Sequence, residues 1–145
     1  MDNNLREALQ QIVNLSEEDK IRLAFDSMKG LAPEITKIVE SDNIAVAILS
    51  IFATSVAADG KLTGEEYSLV HAFLKLFKIE MDDEKMVAML KDLSSDEAYR
   101  AVLSLSKILS EQGQAYLVSL VAVICAIDDR IDSSEVTFIS DLYNA

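Results

Sequence analysis

No stretch of this 145-residue chain alternates apolar and polar side chains with period two for long enough to build a strand. That one feature restricts the fold to helices. Long runs of Ala, Leu, Ile, Glu and Lys favour helix, and one proline and four glycines leave few places to break it. The expected class is all-α: a single domain over residues 1–145, a compact bundle of about seven to nine helices.

Local signals place the helices. Asn3 or Asn4 opens one over LREALQQIV. Ser16–Asp19 resembles a capping signal for a helix that ends before Gly30, and Pro33 suits the first turn of a short helix to about Glu40. Asn43 caps an apolar helix reaching Ala58, and another helix runs from Gly64 to about Lys78. Further helices are expected from about Asp83 to Leu93, from Ser95 over DEAYRAVLSLSKIL, and from Gln114 to Ile127. A last one runs to about Tyr143.

The chain echoes itself at an offset of 69 residues. Asp59, Leu62 and Glu66 fall on Asp128, Ile131 and Glu135, and Lys61 falls on Arg130. Upstream, Ser50, Ala53 and Ala57 fall on Ser119, Ala122 and Ala126. Downstream, Leu69, Val70 and Phe73 fall on Phe138, Ile139 and Leu142, so the apolar phase is kept. The bundle is therefore read as two related helix-loop-helix units. The small residues of each copy share one helix face, which lets two axes approach to about 8 Å. The two apolar helices are expected to cross there and bring their acidic loops together.

Asp59-Gly60-x-Leu62-x-x-x-Glu66 matches the back half of a calcium loop. Ser55 and Ala57 stand where the first acidic ligands would be, so the loop is not an intact EF-hand. One half offers too few oxygens for calcium, whereas two facing halves could supply six to eight. The candidate metal ligands are Asp59, Glu66, Asp128 and Glu135, with Asp129 and Asp132 as possible additions, for Ca²⁺, Mg²⁺ or Mn²⁺. Two carboxylates about 5 Å apart repel by roughly 3 kcal/mol at an effective dielectric of about 20. Asp59 and Asp128 also follow helix C-termini, where the backbone dipole opposes negative charge. A bound cation, Lys61 and Arg130, or exposure to water would compensate. A second reading needs no metal. Thr63–Glu66 and Asp132–Glu135 have the form of capping boxes, and such a cap is worth about 0.5–2 kcal/mol.

VAADGKLTGEE, followed by an apolar helix and repeated as CAIDDRIDSSE, resembles the TerB-like tellurite-resistance proteins. The resemblance covers the chain from about Ile44 onward. It implies a cytoplasmic bacterial helical bundle linked to metal or oxyanion stress. It also implies a cation at Asp59, Glu66, Asp128 and Glu135, and a sensing or scaffolding role through protein partners. Asp129 departs from the pattern, because the first copy has Gly60 there.

Other features narrow the field. A net charge of −12 with no Lys/Arg cluster disfavours nucleic acid and anionic membrane as partners. It favours cations and basic protein faces. No signal peptide is visible, and the most apolar runs are shorter than a membrane span, so a cytoplasmic protein is expected. Cys125 reads as a small buried hydrophobe, and Met81, Met86 and Met89 as core filler. The run Glu80–Glu84 reads as a solvated loop and helix start. The one histidine, His71, reads as a surface or packing residue with no acid at suggestive spacing. No phosphate loop, dinucleotide motif or di-iron motif is present. The expected function is non-enzymatic.

Overall fold

The computed structural model describes residues 3–56, 64–92 and 95–126. Among them are seven α-helices and no strand: α1 (Asn3–Val13), α2 (Glu17–Ile38), α3 (Ile44–Val56), α4 (Gly64–Leu76), α5 (Asp83–Asp92), α6 (Ser95–Ile108) and α7 (Glu111–Ala126). A short 3-10 turn, Ser41–Asn43, leads into α3. All seven share one continuous hydrophobic core or lie against it. The all-α bundle read from periodicity is what the chain forms.

α3 and α7 are the most deeply buried helices. In α3, Ile48, Leu49, Ser50, Ile51 and Phe52 are buried in succession, so this part of the helix is enclosed on every side, while Val46 in its first turn is exposed. It packs most extensively on α6 and also touches α4, α5 and α7. In α7, Leu117 and the run Leu120–Ile124 are buried, chiefly against α2. Met86 is buried, and Met81 and Met89 pack beside the core, as expected of filler.

The second and third expected helices are one. α2 runs unbroken for 22 residues through Gly30 and Pro33. Its buried stripe, Lys20, Ala24, Ser27, Met28, Leu31 and Ile35, keeps one helical phase across both residues. Gly30 is not a helix stop. A side chain there would run into the Tyr116 ring of α7, so the glycine allows a close approach. Pro33 removes the N–H that would bond the Lys29 carbonyl. Residues 29 and 33 are both exposed, so water can take that carbonyl and the helix survives.

α7 also begins earlier than expected, at Glu111 rather than Gln114. Ser110 is its N-cap: the Gly113 N–H donates to Ser110 Oγ at 3.1 Å. Gly113 stays inside the helix because an added Cβ would lie 2.6 Å from the Glu34 carboxylate of α2.

α4 ends in a Schellman motif. The Ile79 N–H donates to the Leu74 carbonyl at 3.1 Å, and the Lys78 N–H to that of Lys75 at 3.0 Å. Lys78 occupies the left-handed position with φ 60°, where glycine is usual. Lys78→Gly should therefore stabilise the fold by about 0.5–1 kcal/mol net of its added chain entropy. In a thermal melt this is a rise of about 2–4 °C, and a fall would contradict the assignment.

Candidate functional site

The site is built around the two ends of α7. Lys20 lies on the first turn of α2, in phase with that helix's apolar stripe, and only 2% of it is exposed. Its ammonium donates to the Ala126 carbonyl at 2.8 Å. Ala126 is the last described residue of α7, so a positive charge is held at the C-terminal end of the described helix. At the other end, Glu34 Oε1 accepts the Ser110 N–H at 2.9 Å. A carboxylate thus meets the positive end of the same dipole. α2 brackets α7 with two charges of matching sense. The pairs 20–126 and 34–110 also fix the direction: the two helices run antiparallel.

The acidic loops were expected to be compensated by a bound cation, by Lys61 and Arg130, or by exposure to water, and those loops lie outside the described residues. Lys20, 106 residues from Ala126 in sequence, is a positive group that this expectation did not include. The signal was present: Lys20, Ala24, Met28, Leu31 and Ile35 share one face, so a lysine at that phase must be buried or leave the bundle.

α3 and α7 touch, as the small-residue stripes led us to expect. Ser50 is buried and donates from Oγ to the Val46 carbonyl at 2.7 Å, so its hydroxyl is satisfied within its own helix. Ala122 and Ala126 are buried, and Ala53 and Ser119 are half-buried. Of the proposed ligands, Glu66 lies on the first turn of α4, where its backbone alone is described. Asp59, Asp128, Asp129, Asp132 and Glu135 lie outside the described residues, as do Ala57, Lys61, Arg130 and the expected last helix. The Cys125 side chain does as well. Among the described residues no three His, Cys, Asp or Glu side chains converge on a point where a metal would sit.

His71 does have an acidic partner. Its Nε2 is 2.7 Å from Asp83 Oδ1, brought in by the first turn of α5. The spacing of 12 residues crosses a turn between two helices, which periodicity along one helix does not reveal. The pair is open to solvent, with His71 35% and Asp83 75% exposed, which is the surface role expected of this histidine. In the neighbouring acid run Asp82 caps α5, accepting the Lys85 N–H at 2.7 Å. The run is the helix start that the sequence indicated, with Asp82 as its cap, and Asp83 in addition meets a histidine.

No family model matches the chain, and neither a curated protein nor a solved structure matches it. Among the described residues no helix is long and apolar enough to cross a membrane.

Proposed function

We propose that this chain is a cation-binding helical domain that acts by binding and protein contact rather than by turnover. In this reading it serves a cytoplasmic metal- or tellurite-type stress response. The ligands are Asp59, Glu66, Asp128 and Glu135, with Asp129 and Asp132 as further oxygen donors. The ion is a hard one, Ca²⁺, Mg²⁺ or Mn²⁺.

The observation that carries the reading is the contact of α3 with α7. α2 is antiparallel to α7, so the C-terminal end of α2 lies beside the start of α7. Only residues 39–43 separate α2 from α3, so α3 starts from that same end. α3 and α7 are in contact in the core. Each leads directly into one copy of the repeated Asp-x6-Glu motif. Contact between the two carrier helices favours a common site for the two motifs.

The test is a melt of chelator-treated protein. At ten times its dissociation constant, an ion bound only by the folded state adds about 1.4 kcal/mol. Calcium, magnesium or manganese should raise the midpoint, and Asp59→Ala with Glu135→Ala should remove the rise. A second reading, a metal-free interaction module, is favoured by the exposed apolar side chains Ile38, Val46, Leu76 and Ile108, the last 59% exposed. Absence of a shift with all three ions would select it.

A further inference from the structure

We draw no further inference here: the strongest candidate, the exposed apolar side chains Ile38, Val46 and Ile108 at the end of the bundle where the C-terminal part of α2 meets the start of α7, is an apolar surface patch, and nothing among the described residues shows what covers it.

Discussion

Lys20→Ala should destabilise the fold by about 3 kcal/mol, among the largest effects available outside the apolar core. Three terms decide the figure. The charge-assisted hydrogen bond to Ala126 is lost, and such bonds contribute about 1.5–3 kcal/mol. The lysine stem leaves a cavity between α2 and α7, and each buried methylene is worth about 0.8 kcal/mol before any cavity penalty. Against these stands the relief of no longer desolvating an ammonium, which offsets part of the loss. For a chain of this size the melting midpoint should fall by about 6–12 °C. Lys37→Ala, at an exposed position in the last turn of the same helix, should stay within about 0.5 kcal/mol. Equal effects at the two positions would contradict the bracket that α2 places on α7.

Phe52→Ala should cost about 3–5 kcal/mol in denaturant unfolding. Phe52 has no exposed surface and stands in α3 beside the equally buried Ile48, Leu49 and Ile51. With α4, α5, α6 and α7 all against this helix, a neighbour that moved into the space would lose contacts elsewhere. Collapse is therefore limited and most of the cavity cost remains. Phe25 on α2 is 36% exposed, and its alanine variant should lose about 1 kcal/mol or less. A small loss at Phe52 would mean that α3 is not the centre of the bundle.

Fold class was legible because periodicity is a property of many residues at once. The apolar character of α3 and α7 was readable in the sequence, and both helices are deeply buried in the bundle. The misplaced boundaries arose where one residue was allowed to outvote the helical phase. Gly30 and Pro33 look like punctuation, yet Ala24, Met28, Leu31 and Ile35 continue the stripe past both. The glycine is there for Tyr116, a partner 86 residues away that no local rule contains. Lys20 and the His71–Asp83 pair were missed for the same physical reason: each is completed by a residue on another helix. The acidic repeat was visible as a pattern. A pattern of carboxylates alone does not distinguish an ion site from a pair of helix caps, since both use the same oxygen atoms.

The most direct test of a shared ion is a backbone NMR titration of the chelator-treated protein with Ca²⁺. The account predicts that amides of residues 59–66 and of residues 128–135 shift together, saturate at one ion per chain and fit a single dissociation constant. Shifts confined to one of the two segments, two independent affinities, or no shift in either would contradict it.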